Sequence, residues 1–291
     1  MLKSGVLRLA SWAAGVLPPS ARRAIYRLGP ISRGLRRLLN QVVPAGRVPV
    51  EVAAGLLKGM RFELELQEEK DLWLGTYELA LQAELGRRLK PGMVVFDVGA
   101  HIGYMTLGFA RLVGPTGRVL AFEPLPDNQV RLQAALTANQ LASRVSLRPA
   151  AVSDREGRDT FQVHRSASMG KLAGAAGREQ AYQARIEVAS VRLDDEVYLR
   201  HAPSPDWIKL DVEGGEGAVL AGSRRLLAEG RPGWWIELHG PASAGQVWRH
   251  LTDAGYVVFT IDNPPRPVES VESLDWKAYL LALPEETSLD V

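Results

Sequence analysis

Residues Val94–Pro124 read VVFDVGAHIGYMTLGFARLVGPTGRVLAFEP, and the reading of this stretch decides the fold. Val94, Val95, Phe96 and Val98 form a short apolar run rich in β-branched residues, which predicts a buried parallel strand. Asp97, Gly99 and Gly103 then make a D-x-G-x-x-x-G turn. Tyr104–Val113 is predicted to be helical and to stop at Gly114-Pro115. Arg118–Phe122 is a second apolar strand, and it ends on Glu123. A strand, a glycine turn, a helix and a strand place a nucleotide-type ligand at the carboxyl edge of a parallel sheet. Glycine lets the backbone approach a ligand closely. An acid closing the second strand can accept two hydrogen bonds from a ribose diol. These features suit dinucleotide and S-adenosylmethionine sites alike.

Upstream, Pro44–Pro49 reads as a linker. Gly59–Leu66 alternates apolar residues (Met60, Phe62, Leu64, Leu66) with charged ones, as in a half-buried hairpin strand. Thr76–Leu89 reads as a helix that leads to the turn Lys90-Pro91-Gly92. Downstream, Asp127–Leu141 is an amphipathic helix and Arg144–Pro149 a third strand. Asp159–Val163 and Arg185–Ser190 have strand character. Between them His164–Ala184 is rich in Ser, Ala, Gly and Gln, irregular for a core and long for a passive loop, so it reads as a flap over a substrate pocket or as disorder. Asp206–Val212, Gly233–Leu238, Tyr256–Ile261 and Trp276–Leu283 are further strands, with helices at Glu216–Glu229 and Ser243–Ala254. Strands and helices alternate until the last two strands, which are joined without a clear helix. The expected fold is therefore α/β: a Rossmann-like, doubly wound, mostly parallel sheet with one antiparallel strand. Three parts are expected: a basic helical arm and linker over 1–47, lead-in strands and a helix over 48–93, and a ligand-binding domain over 94–291.

The length of 291 residues suits one large α/β domain with an appendage. The absence of cysteine excludes disulfides, thiolate metal sites and a cysteine nucleophile from this chain. Net charge is +2, but it is unevenly placed. Nine basic residues and no acid precede Glu51; taken from +2, they leave −7 on the rest. In residues 1–43, Leu2, Val6, Leu9, Ala13 and Val16 share one helical face. Ile31, Leu35, Leu38 and Val42 share another, opposite Arg33, Arg36 and Arg37. That is a basic amphipathic pattern, which fits packing on the body with solvated arginines, an anionic membrane surface, or another polyanionic partner. The run Leu9–Leu17 is too short to span a bilayer, and no clear cleavage site marks a signal peptide. A cytoplasmic protein is expected, with the arm able to bind peripherally to membrane.

The blocks DVGAHIGYMT, AFEP, WIKLDVEGGE and WWIELHG, in this order, closely resemble the FkbM family of S-adenosylmethionine-dependent methyltransferases over about Gly75–Leu283. The resemblance implies a class I methyltransferase fold, S-adenosylmethionine as cofactor, and O-methylation of a hydroxyl on a sugar, glycolipid or polyketide-like acceptor. It also implies that Glu78, in the pair Tyr77-Glu78, lies near the cofactor's amino-acid end. Ala151 and Val152 would pass the adenine ring, and His101 would be a cofactor-side contact. Ser166 and Ser168 loosely match a serine-rich segment near the acceptor. With Asp97, Gly99, Gly103, Glu123 and Asp211, these complete the expected cofactor site.

Methyl transfer from a sulfonium is an in-line displacement, so alignment supplies most of the catalysis, about 7–11 kcal/mol. A general base adds roughly 10²–10⁴-fold. Candidates stand at strand ends: Asp211 and Glu213 after the fourth strand, Glu237 and His239 at the fifth. His239 has the intrinsic pKa suited to a base near neutrality, and Asp211 and Glu213 complete the expected catalytic set. Oxygen and imidazole ligands from Asp211, Glu213 and His239 could hold a metal, but no compact ligand spacing supports one, and none is expected. No nucleic-acid partner is expected either. The chain has no RNA-binding motif, its body is acidic, and Asp211-Val212-Glu213-Gly214 stands where amine methylases carry an Asn/Asp-Pro-Pro-aromatic motif. An NAD-linked oxidoreductase, or an adaptor built on an inactive methyltransferase fold, are the alternatives.

Overall fold

The computed structural model describes residues 43, 46–164, 170–176, 182–262, 264–274 and 279–287. The expected helices of residues 1–42, the serines Ser166 and Ser168, and Trp276 lie outside these. Two units are distinguished. The first holds residues up to Arg87 together with Ala134–Gln140. It opens with the antiparallel hairpin β1 (Arg47–Glu51) and β2 (Arg61–Glu65), paired from Arg47↔Glu65 to Glu51↔Arg61. The expected linker is thus partly a strand. Pro49 is tolerated because a two-stranded sheet has only edge strands, where a missing N–H costs little. Alternation in β2 buries Phe62 and Leu64 and exposes Arg61 and Glu63, as expected. Two helices follow, α1 (Lys70–Leu74) and α2 (Leu79–Arg88). Gly75, at φ 69°, ends α1 in the left-handed conformation that L side chains resist. The expected helix from Thr76 is therefore shorter and preceded by an unexpected turn.

The second unit contains β3 (Val94–Val98), α3 (Tyr104–Leu112), β4 (Arg118–Phe122), α4 (Pro126–Ala138) and β5 (Val145–Arg148). The last turn of α4 belongs to the first unit. There follow β6 (Ala151–Val152), β7 (Gly157–His164), β8 (Lys171–Leu172), β9 (Tyr182–Val191) and α5 (Leu193–Tyr198). The chain continues through β10 (Trp207–Leu210), α6 (Glu216–Ala221), β11 (Gly233–Glu237), α7 (Pro241–Asp253), β12 (Tyr256–Thr260), β13 (Arg266–Pro267) and β14 (Tyr279–Pro284). Among the described residues the main sheet runs β13-β12-β14-β11-β10-β3-β4-β5. It is parallel from β5 to β11, and β14 lies antiparallel between β11 and β12. This is the doubly wound class I sheet expected, with the two-residue β13 added antiparallel at one edge. A separate sheet, β6-β9-β7-β8, takes the two strands flanking the expected flap. The helix expected over Glu216–Glu229 breaks after Ala221 and resumes as a π-turn at Leu226–Gly230. At the break, a Cβ on Gly222 would stand 2.2 Å from the Ser153 carbonyl oxygen.

The central strands are apolar because helices cover both faces. One face gathers Phe96, Val98, Ile208, Leu210, Trp234 and Ile236 with Val219, Val247 and Leu251. On the other, Trp207 and Trp235 stack at 4.2 Å between ring centres, and Phe109 of α3 lies parallel to Trp235 at 6.3 Å. Each buried indole contributes about 4–6 kcal/mol of hydrophobic stabilisation. Two charges interrupt β3 and β10, Asp97 and Lys209, and they are register partners. Paired in this way, they mark where the sheet turns from core to site.

Candidate active site

The turn after β3 is fastened to the end of β4. The N–H groups of Gly99 and Ala100 both donate to the Phe122 carbonyl, at 3.1 and 3.0 Å. Gly99 sits at φ 83°, and a Cβ there would lie 1.8 Å from the Asp211 carbonyl oxygen, so glycine is obligatory for the loops after β3 and β10 to meet. His101 adopts φ 50°, a left-handed conformation that is strained for a side-chain-bearing residue. That bend aims its N–H at Glu123 Oε2, 2.8 Å away. Glu123 Oε1 accepts from the Leu125 N–H at 2.8 Å and from the Asn128 amide at 3.2 Å. Three of a carboxylate's roughly four acceptor positions are thereby engaged. One position on Oε2 remains, so the expectation of two ribose hydrogen bonds is corrected to one unless Asn128 gives way. Burial raises the Glu123 carboxyl, and its three donors only partly oppose this, leaving it at about 7.

At the end of β3, Asp97 is fully buried and accepts from the Thr106 hydroxyl at 2.5 Å. Desolvation raises its pKa against the pull of Lys209. Lys209 Nζ lies 2.9 Å from Asp211 Oδ2, 3.3 Å from the Gly99 carbonyl and 3.9 Å from Asp97 Oδ1. Burial alone would lower Lys209, but Asp211 and Asp97 carry it above its ordinary value. Asp211 is pushed up by desolvation, and Lys209 and His239 pull it below the usual carboxylate range.

His239, buried at 5% exposure, follows β11. Its Nδ1 lies 2.8 Å from Glu216 Oε1, and Glu216 is itself held by the Gly214 N–H at 3.0 Å and by the Ser243 hydroxyl. Its Nε2 faces Asp211 Oδ1 at 3.7 Å, Glu213 Oε2 at 3.8 Å and Glu237 Oε1 at 3.7 Å, distances too long for hydrogen bonds. Desolvation lowers the imidazole pKa, but Glu216 and then Asp211 more than offset it, raising it to about 9. A base titrating near neutrality is therefore not what this imidazole offers by itself; the structure makes it a held cation. Asp211, Glu237 and His239 each present one ligand atom within 4.8 Å of the others. The compact ligand set missing from the linear spacing arises in the fold.

The structure thus brings Asp97, Gly99, His101, Gly103 and Glu123 together at the β3–β4 end, and Asp211, Glu213 and His239 at the β10–β11 end. Ala151 and Val152 are buried in β6, Ala151 packed with Leu125, Phe161 and Val188 and Val152 in the main core. Glu78 belongs to the first unit and precedes α2 at φ 49°. Of the expected flap, Lys171–Leu172 pairs with β7, and the Ala176 N–H donates to the Gly214 carbonyl at 3.0 Å, beside the acidic cluster. Sequence reasoning passed over Lys209, Glu216 and Ser243. The first two lie inside the WIKLDVEGGE block, a charge within a buried strand and an acid closing a glycine turn, and those were the available signals. Nothing in the sequence singled out Ser243 or Asn128.

The methyltransferase FkbM domain matches residues 97–258. The chain is 36% identical over 163 residues to 31-O-demethyl-FK506 methyltransferase FkbM of Streptomyces tacrolimicus, which covers 47% of this chain and 62% of that protein. It is 29% identical over 154 residues to 2-O-methyltransferase NoeI of Sinorhizobium fredii, covering 49% and 62%. A solved structure of methyltransferase FkbM from Methylobacillus flagellatus aligns with 19% identity and a TM-score of 0.47, over 67% of this chain and 44% of that one. The chain therefore spans less than two thirds of the length of these relatives.

Proposed function

The chain belongs to the FkbM methyltransferase family, and on that premise we propose that it moves a methyl group from S-adenosylmethionine to a hydroxyl of a sugar, glycolipid or polyketide-like acceptor. The observation that carries this reading is the Glu123 carboxylate, drawn onto the glycine turn by the His101 N–H with one acceptor position left over. The residues fit the cofactor. Its ribose needs an acceptor, its sulfonium and ammonium are cationic, and the strand ends carry an excess of carboxylates over Lys209 and His239. When bound, the cofactor supplies an electrophilic methyl: an O–C bond forms, the C–S pair stays on sulfur, and the acceptor loses one proton.

In this reading Asp97, Gly99, His101, Gly103 and Glu123 hold the adenosyl end. The base would lie against the Ala151–Val152 end of β6. Asp211, Glu213 and Glu237 draw off the acceptor's proton, and His239, fixed by Glu216, orients its hydroxyl. Support for an oxygen acceptor comes from the names of the two relatives, which specify a 31-O and a 2-O position. Calorimetry tests the reading: adenosylhomocysteine binds with one site per chain and NAD does not. Binding of NAD instead would move the protein to the oxidoreductase class.

Residues 1–43 are proposed to dock on anionic lipid, supported by the charge asymmetry of the sequence. Arg33, Arg36 and Arg37 would supply about 1 kcal/mol each at such a surface. Among the described residues no helix is long and apolar enough to cross a membrane. Co-sedimentation should occur with anionic but not neutral vesicles, weaken with salt, and vanish on deleting residues 1–43. Equal recovery with both lipids would count against docking.

A further inference from the structure

We infer that Asp211, Glu237 and His239, with Glu213 beside them, form a divalent-cation site at the acceptor end of the active site. The first observation is the ligand set: two carboxylate oxygens and one imidazole nitrogen from two adjacent strand ends, all within 4.8 Å of one another. Donors around a cation bonded at about 2.1 Å stand about 3–4.2 Å apart, so a pair at the 4.8 Å limit must close by about 0.6 Å or more, within reach of side-chain rotation. The second observation is the imidazole itself. His239 is buried, its Nδ1 is taken by Glu216, and its Nε2 points among three carboxylates at 3.7–3.8 Å without reaching a hydrogen bond to any of them. A carboxylate on the far nitrogen is the usual support of a metal-bound histidine: it fixes the tautomer and raises the basicity of the ligating nitrogen. Glu216 is in turn pinned by Gly214 and Ser243, so the support has a shell of its own.

Mixed oxygen and nitrogen ligands suit Mn²⁺ and its first-row neighbours better than Mg²⁺ or Ca²⁺, which prefer all-oxygen cages. Three protein ligands leave coordination positions for oxygens of the acceptor. A cation there would replace the proton on His239 Nε2, align the acceptor hydroxyl and ease loss of its proton. The inference rests on the methyltransferase reading only for that role; the binding site stands on geometry alone.

The test is titration of MnCl₂ into the full chain after EDTA treatment and desalting, without cofactor or acceptor, followed by electron paramagnetic resonance. One Mn²⁺ per chain is expected, with binding lost in Asp211→Asn and His239→Ala. Glu216→Gln should weaken it by about 10–100-fold. Circular dichroism and the thermal melting temperature check that each variant is folded, and Glu237→Gln, a near-isosteric change, serves where His239→Ala does not fold. Absence of stoichiometric Mn²⁺, or binding unchanged in folded Glu237→Gln and Glu216→Gln, overturns the site. Full methyl transfer by metal-free protein would remove the cation's proposed catalytic role and leave both the binding site and the methyltransferase reading standing. Failure to bind adenosylhomocysteine would instead remove the methyltransferase reading, while one Mn²⁺ lost with Glu216→Gln would still uphold the site.

Discussion

At the β3–β4 end of the site, backbone holds side chain: N–H groups of His101 and Leu125 fix the Glu123 carboxylate within a single strand–turn–helix–strand unit. At the β10–β11 end, side chain holds side chain: Ser243 holds Glu216, Glu216 holds His239, and Lys209 holds Asp211. The first arrangement is nearly pre-satisfied and offers a ligand one acceptor position. The second concentrates carboxylates around an imidazole and calls for positive charge. On the proposed function, a local motif suffices to recognise a constant group such as a ribose, whereas acceptor chemistry is assembled from residues that only the folded sheet brings together.

Gly99→Ala should break both ends at once, because its Cβ would meet the Asp211 carbonyl where the two loops touch. A loss on the order of 3–5 kcal/mol is expected, visible in calorimetry as a fall in Tm of about 10 °C, with adenosylhomocysteine binding and turnover lost together. A variant with unchanged Tm would show that the loops are independent. His239→Ala should separate the ends. We expect kcat to fall about 10–100-fold or more as the acceptor is mispositioned while adenosylhomocysteine affinity holds; a parallel loss of affinity would mean that the acceptor end also binds cofactor.

Glu123→Gln makes the converse cut. It should weaken adenosylhomocysteine by about 1.5–3 kcal/mol, the worth of one hydrogen bond to a charged group, and leave kcat at saturating cofactor nearly intact. The smallest effect is one of pH. With Glu123 at about 7, its ionised form increases as pH rises through 7, so adenosylhomocysteine affinity should climb by up to about tenfold per unit below that point and then level off. Stability of the cofactor-free protein should run the other way. The folded pKa lies above the unfolded 4.5, so the group's stabilising contribution is complete below 4.5 and is lost as pH rises through about 7. Glu123→Gln should flatten both slopes, and persistence of either would assign it to another group.

The β3–β4 end was legible because its signals are contiguous: apolar run, glycines, strand-end acid. The sheet was legible for the same reason, strand by strand. What escaped depended on distant partners. Lys209 pairs with Asp97 across 112 positions of sequence, and only strand register reveals it. Glu216 and His239 are 23 residues apart and meet because α6 packs against α7, the helix that His239 leads into. The helix expected over Glu216–Glu229 had no visible breaker beyond Gly222, whose need to be glycine comes from the Ser153 carbonyl of a remote segment. Pro49 argued for a linker because sequence does not show that β1 is an edge strand.

The stacked indoles of Trp207 and Trp235 give the molecule an optical gauge. Their planes are 14° apart, one on β10 and the other on β11, and Trp235 is the register partner of Lys209. Strong transition dipoles held so close couple, which adds a paired positive and negative band to the far-ultraviolet circular dichroism. Any slip between the strands that carry Asp211 and His239 changes that coupling. The spectrum therefore reports whether the two halves of the acceptor end are in register, in a sample that holds neither substrate nor cofactor.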